Sequence, residues 1–284
     1  MHKVAMIKAK GNRREAIVQA VDLLGGMERF IEKGETVAIK PNLCNSKYKY
    51  PVTSSVEAAL AILDLVRPLT SEILIIESPN ASMNPELKYT ALGYDQLEGI
   101  KLINLHKNLL VKGKDFDKLI NLCNLKTSEV ATITCGLKNI FGCYPQRTKA
   151  KMHPQIAQAI VDINQRYPSD LIVIDALTAM EGQGPLFGTP VEMGLIIAGD
   201  NVVATDFVAC KTMEIEPSEV EHLMLAMKCG LGDINNLELI GESIESVKRK
   251  FKKADPEPLV RRLKHFISGY ETPSKILAKV RQVS

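Results

Sequence analysis

Asp170-Leu-Ile-Val-Ile-Asp175-Ala-Leu-Thr-Ala-Met-Glu181-Gly-Gln-Gly-Pro-Leu-Phe-Gly188 is the stretch on which the fold turns. Residues 170–174 are apolar with little alternation, as expected of a strand buried on both faces, the usual situation in a parallel sheet. Asp175 closes that run. A loop opening at Glu181 follows, with glycines at 182, 184 and 188. Strand ends that run into flexible loops are where α/β proteins place ligand chemistry. Gly182 and Gly184 would let loop amides line a pocket beside Asp175 and Glu181. The loop is neither G-x-G-x-x-G nor a Walker sequence, so neither a dinucleotide nor a P-loop is expected.

Outward from this stretch, short apolar runs alternate with helical patterns. Strands are expected at 4–9, 36–40, 72–76, 101–105, 130–134, 170–174 and 194–198. Helices are expected at 13–25, stopped by Gly25-Gly26, and from a capping box at Ser54-Ser-Val-Glu57 to Arg67. Others run from Asn84-Pro85 to Gly93 and over 154–166, 201–213 and 218–229, with Asp200 as an N-cap. Such alternation makes βαβ units, hence an α/β fold with a mostly parallel sheet flanked by helices. Residues 1–247 form that domain, with an irregular insert at about 78–128 that could be a small subdomain or lid. Residues 248–284 carry two short amphipathic helical patterns, docking on the body or on a second subunit.

The 284 residues are 45% hydrophobic and 24% charged, an ordinary globular balance. No run approaches the roughly 20 apolar residues of a membrane span. The strand-like start carries no secretory pattern, so a cytoplasmic protein is expected. Net charge is +3, but residues 248–284 hold 11 Lys+Arg against 3 Asp+Glu, leaving 25 against 30 elsewhere. That tail is read first as a solvated face. Binding to an anionic membrane surface or nucleic acid through it is the alternative, and nucleic acid is not the expected partner.

Candidate site residues gather at strand ends. Lys40 and Asn42 flank Pro41 after the second strand, offering a point charge and two-way hydrogen bonding to a carboxylate or phosphate. Cys135-Gly-Leu-Lys-Asn-Ile-Phe-Gly-Cys143 repeats the pair as Lys138 and Asn139 between glycines, and Arg147, Lys149 and Lys151 thicken the positive field there. His153, before Pro154 at a helix start, is a candidate acid or base, as is Glu181. Asp206, inside an apolar helix, needs a partner, and a capping contact or salt bridge is expected before a metal.

Of the six cysteines, Cys210 and Cys229 are expected as small buried hydrophobes. Cys44, Cys135 and Cys143 sit in the candidate loops. Their spacing matches neither zinc nor ferredoxin motifs, but three loops could converge on an iron–sulfur cluster or divalent metal.

Several segments together are similar to the family known as domain of unknown function 362. They are Val37-Ala-Ile-Lys-Pro-Asn42, Leu137-Lys-Asn-Ile-Phe-Gly142 with His153, Ile174 to Pro185 with Gly188, Gly199 to Asp206, and Ala226 to Gly232. The resemblance implies an α/β protein of no settled activity. Members often carry Thr-Thr-His-Pro where this chain has Thr53-Ser-Ser-Val56, so any role of that histidine is missing here. Some also carry a ferredoxin-like cysteine cluster, which this chain lacks; redox chemistry would then need an outside electron-transfer partner.

Three functions follow as expectations. The first is an enzyme on a small anionic substrate, bound by Lys40, Asn42, Asn139, Asp175, Gly182 and Gly184, with Lys138, His153 and Glu181 acting catalytically. The second is a metal or iron–sulfur protein of redox or maturation function, built on Cys44, Cys135 and Cys143. The third is a binding module acting through the tail. A homo-oligomer is compatible with each.

Overall fold

The computed structural model describes residues 1–45, 50–80, 84–145 and 149–255. β1 (His2–Lys8) leads into α1 (Arg13–Leu23), whose N-cap Asn12 accepts the Glu15 amide. β2 (Val37–Pro41) and α2 (Val56–Val66) follow, then β3 (Ile73–Glu77), α3 (Pro85–Leu92) and β4 (Lys101–Asn104). β5 (Lys118–Ser128), β6 (Thr132–Thr134), α4 (Gly136–Ile140), α5 (Ile156–Arg166), β7 (Leu171–Glu181) and β8 (Thr189–Gly199) come next. α6 (Val202–Thr212), α7 (Glu221–Lys228), β9 (Leu237–Gly241) and α8 (Ile244–Val247) complete the described chain.

Nine strands make one sheet in the order β4-β3-β2-β5-β7-β8-β1-β9, with β6 on β5. The pairs among β2, β3, β4, β5 and β7 are parallel; β8 runs antiparallel to both β7 and β1. The fold is thus α/β with a mostly parallel sheet. One face is covered by α1 and α2 through Ile17, Val21, Ile62 and Val66. The other is covered by α4, α5, α6 and α7 through Leu137, Ile160, Val208 and Leu223. Burial on both faces explains the continuous apolar runs of β2 and β3, in which every residue is buried.

Some expectations are corrected. The 105–128 stretch contains β5, an 11-residue strand between β2 and β7, and not an irregular insert. Its asparagines and Lys126 break the apolar pattern, because they serve a buried polar network described below. The cap of α2 is Ser55, which accepts the Ala58 amide, one residue later than the capping box placed it. The cap of α6 is Asn201, which accepts the Val203 and Ala204 amides; Asp200 instead accepts the Lys3 amide and pairs with Arg29. Cys210 is buried as expected, but Cys229 is exposed.

Residues Met1–Ala254 form one compact unit and Asp255–Ser284 are grouped as a second. The expected tail helices and Arg147 lie outside the described residues. No helix among the described residues is long and apolar enough to cross a membrane.

Candidate functional site

The parallel strands β2 and β3 end together beside β5, which runs on past them to Ser128, and this edge is polar although buried. Lys40, 1% exposed, leaves the end of β2 and donates to Pro41 O at 2.6 Å and to Glu77 Oε2 at 3.2 Å. Glu77, the last residue of β3, also faces Lys88 of α3 at 4.0 Å. Lys149 donates to Ser78 Oγ and to Gly142 O. Burial alone would raise the Glu77 pKa, but Lys40, Lys88, Lys149 and the Ser78 amide together hold it below the ordinary carboxylate range. Burial lowers the lysines in turn: Lys88 falls despite Glu77, and Lys149 falls to about 7. Three lysines lie in the field of one carboxylate, two of them paired with it.

Gly142 leaves room for this arrangement. A Cβ there would sit 2.8 Å from Lys40 Cε, so the lysine side chain would have to shift to admit one.

Beside this cluster lies an amide network centred on Asn139. Its Nδ2 donates to Lys40 O at 3.1 Å, Asn121 Oδ1 at 2.8 Å and Leu122 O at 3.2 Å, while its Oδ1 accepts from Asn42 Nδ2 at 3.1 Å. Asn42 Oδ1 accepts from Lys126 Nζ at 2.9 Å, and Lys126 also donates to Val52 O at 2.7 Å. Ser54 Oγ accepts the Asn42 amide and contacts Asn124 Oδ1 at 3.1 Å. Asn42 and Asn139 therefore brace strand ends, satisfying carbonyls and amides the ladder leaves over. Lys126 is wholly buried, is bonded to neutral oxygens, and has no carboxylate partner among the described residues; burial lowers its pKa.

α4 sits on this edge because Asp206 holds its N-terminus. The carboxylate accepts the Gly136 and Leu137 amides at 2.8 and 2.9 Å, which is the capping contact expected of it. Burial nonetheless raises its pKa to about 7. Gly136 leaves room here too, since a Cβ would lie 2.9 Å from Asp206 Oδ1. Lys138, on the same short helix, is part-buried and donates to Thr134 Oγ1 at 3.3 Å. Burial and the charge of Lys126 bring its pKa down to about 8.

The lysines converge on the loop after β2. The Cys44 thiol there, part-buried and donating to Val52 O at 3.1 Å, is within electrostatic reach of Lys88, Lys126 and Lys138. The part-exposed rim of the cluster includes Cys44, whose carbonyl accepts from Asn80 Nδ2 at 2.7 Å, and Gly142, whose carbonyl accepts from Lys149 Nζ at 2.8 Å.

Other expected residues are placed elsewhere. Glu181 ends β7 and accepts the Lys252 amide at 2.9 Å; Gly182 N donates to Lys252 O, and Gly184 N to Gly182 O. The loop amides are thus used within the protein. Gly184 is glycine because a Cβ would lie 2.2 Å from Thr127 O. His153 is exposed on the 3-10 turn before α5. Asp175 points to the opposite face of the sheet, pairing with Arg13 Nε at 2.8 Å and accepting from Tyr50 Oη at 3.0 Å. Burial raises its pKa against the pull of Arg13. The expectation that Lys40, Lys138 and Glu181 serve one substrate site is thus corrected: the Lys40 and Lys138 turns meet through Asn42 and Asn139, and Glu181 is engaged at the β7–β8 hairpin.

Cys135 lies in the apolar cluster of α5 and α6, and Cys143 in another with Ala38 and Tyr167. Burial pushes the Cys143 thiol up to about 12. Among the described residues no group of three His, Cys, Asp or Glu side chains is placed to hold a metal. Sequence reasoning placed Lys149 near this edge but missed Glu77, Lys88, Lys126 and Arg13. Only the position of Glu77 at the end of an apolar run could have signalled one of them.

An α/β sheet with a cationic site at its strand ends defines the class of protein. Residues 37–211 match the family described as Domain of unknown function (DUF362), more than half of the chain, and the chain belongs to that family. A similar protein, the thylakoid-associated protein sll1697 of Synechocystis sp., is 29% identical over 232 residues, covering 73% of this chain and 72% of that protein.

Proposed function

We propose that the chain binds a small anionic ligand, a carboxylate or phosphate compound, at the C-terminal edge of β2 and β3 beside β5, and acts on it as an enzyme. One observation carries this reading: Lys40, Lys88 and Lys149 surround the single carboxylate of Glu77, and Lys126 adds a fourth buried amine. Buried charge is costly unless it is matched. An anion at the rim would supply the missing negative charge and raise the lowered lysine pKa values. The neighbouring segments 46–49, 81–83 and 146–148 contain no Asp or Glu by sequence. In this reading Asn42 and Asn139 hold the strand ends in place, and His153 and Glu181 take no part.

The test is calorimetric titration of the full chain with inorganic phosphate and with malonate at fixed ionic strength, repeated on Lys149→Gln. Binding by the parent and at least tenfold weaker binding by the folded variant is the expected result. Equal affinity in both, or no binding of either anion, removes the reading.

A second reading, peripheral association with an anionic membrane surface, is favoured by the tail's 11 Lys+Arg against 3 Asp+Glu. The relative's description as thylakoid-associated is in keeping with it. Screened attraction of basic segments to anionic lipid is worth about 1 kcal/mol per residue near the surface. The two readings are compatible, and a cytoplasmic location belongs to the proposal.

A further inference from the structure

Lys138 differs from the other amines of the site in how loosely it is held. Lys40 has Glu77 and Pro41 O; Lys126 has Asn42 Oδ1 and Val52 O; Lys149 has Ser78 Oγ and Gly142 O. Lys88 has Glu77 and Ser78 O. Lys138 Nζ makes one described hydrogen bond, a long one of 3.3 Å to Thr134 Oγ1. It is also the part-exposed lysine of the set, whereas Lys40, Lys88 and Lys126 are at most 1% exposed.

Little around Lys138 favours its charged form: Thr134 Oγ1 accepts one long hydrogen bond, and the pull of the Cys44 thiol is smaller than the opposing effects of burial and Lys126. Asp206, on the helix facing α4, is already engaged by the Gly136 and Leu137 amides. His222 of α7, 1% exposed and with Nε2 unpartnered, is within electrostatic reach of Lys138 and is neutral, its pKa depressed to about 3 by burial and by that lysine. Lys126 repels a second positive charge. An amine so placed spends a useful fraction of its time uncharged near neutral pH, the condition under which lysine attacks carbonyl carbon.

We propose that Lys138 forms an imine with an anionic carbonyl substrate, an oxo acid or a phosphorylated ketone, whose negative group is held by the neighbouring lysines. This rests on the anion-binding reading and adds the substrate class to it. The neutral amine adds to the carbonyl carbon, and the carbinolamine loses its oxygen as water. The C=O double bond is replaced by C=N, two N–H hydrogens leave in the water formed, and no oxidant or reductant takes part. On taking a proton from solvent, the imine nitrogen becomes an iminium, an electron sink for cleavage or proton transfer at the adjacent carbon.

The experiment is reduction with sodium borohydride of the full chain mixed with pyruvate, 2-oxoglutarate or dihydroxyacetone phosphate, followed by peptide mass spectrometry. At least one probe should give an adduct concentrated on Lys138, diminished by competing inorganic phosphate and lost in Lys138→Arg. Arginine keeps the charge but forms no imine, so the variant should still bind phosphate. Absence of adduct with all three probes, or labelling spread over exposed lysines such as Lys10 and Lys33, overturns the proposal. If phosphate still binds in that case, the anion site survives and only the imine fails; loss of both removes the site.

Discussion

Replacing Glu77 by glutamine keeps the shape of the side chain and removes the one carboxylate in whose field Lys40, Lys88 and Lys149 lie. At an effective dielectric of about 20, unit charges attract by about 5 kcal/mol at the 3.2 Å separation of Lys40 and Glu77, and by about 4 kcal/mol at the 4.0 Å of Lys88. The cost of keeping Glu77 dry offsets much of this, so the expected net loss is about 3–5 kcal/mol at pH 7. In a domain of this size that lowers Tm by on the order of 10 °C. The loss should depend on pH with a definite sign. Lysines whose pKa lies lower in the folded than in the unfolded chain bind fewer protons when folded, so stability rises with pH between the two values. Without Glu77, which raises the Lys88 pKa, the depression deepens. The deficit of the variant therefore narrows from pH 7 towards pH 10. The buried thiols of Cys123, Cys135 and Cys210, with raised pKa values, act in the opposite direction above about pH 8.5, but alike in both proteins; Cys143, whose pKa Glu77 helps to raise, is raised less in the variant and so narrows the deficit further. Urea, being uncharged, is the suitable denaturant. Far-UV circular dichroism suits a chain without tryptophan. A deficit below about 1 kcal/mol at pH 7, or one that widens as pH rises, would refute the assignment of Glu77 as the shared counter-charge.

Arg13→Ala should show the mirror image. It strips Asp175 of its 2.8 Å partner, costing about 3 kcal/mol, and because burial already raises the Asp175 pKa the deficit should be smaller at pH 5 than at pH 8 in the same urea assay; a deficit larger at pH 5 contradicts the pairing. For the membrane reading, the full chain should sediment with vesicles containing anionic phosphatidylglycerol and not with phosphatidylcholine alone. That binding should weaken with added salt and vanish in a chain ending at Ala254, and binding that survives the truncation would assign it to the body.

The strands and helices were largely written in local pattern. β2, β3 and the start of β7 are apolar runs ended by Pro41, Ser78 or Asp175, and Gly25-Gly26 and Gly93 stop helices where expected. β5 was the exception. Asn121, Asn124 and Lys126 make it look like surface chain, yet all three are fully buried. A polar residue in a central strand reads as exposed until its partners are known, and these partners lie 15 to 84 positions away in sequence. The candidate site was legible to the same extent. Lys40, Asn42, Lys138 and Asn139 lie at one edge as their strand-end positions implied, but the two asparagines face each other and the protein's own carbonyls.

What the sequence determined alone was the class of fold and the edge of the sheet that carries polar residues, because apolar periodicity and breaker residues act over a few positions. Which charges share a space was decided only by the tertiary structure. Lys40, Glu77, Lys88 and Lys149 are scattered over more than a hundred residues, and no local pattern encodes their meeting. It arises when β2, β3, α3 and the turn after α4 are folded onto one edge. The physical reason is the range of the interactions: hydrogen-bonded segments are specified by near neighbours, whereas the energy of a buried charge depends on every group the fold brings within a few ångströms of it.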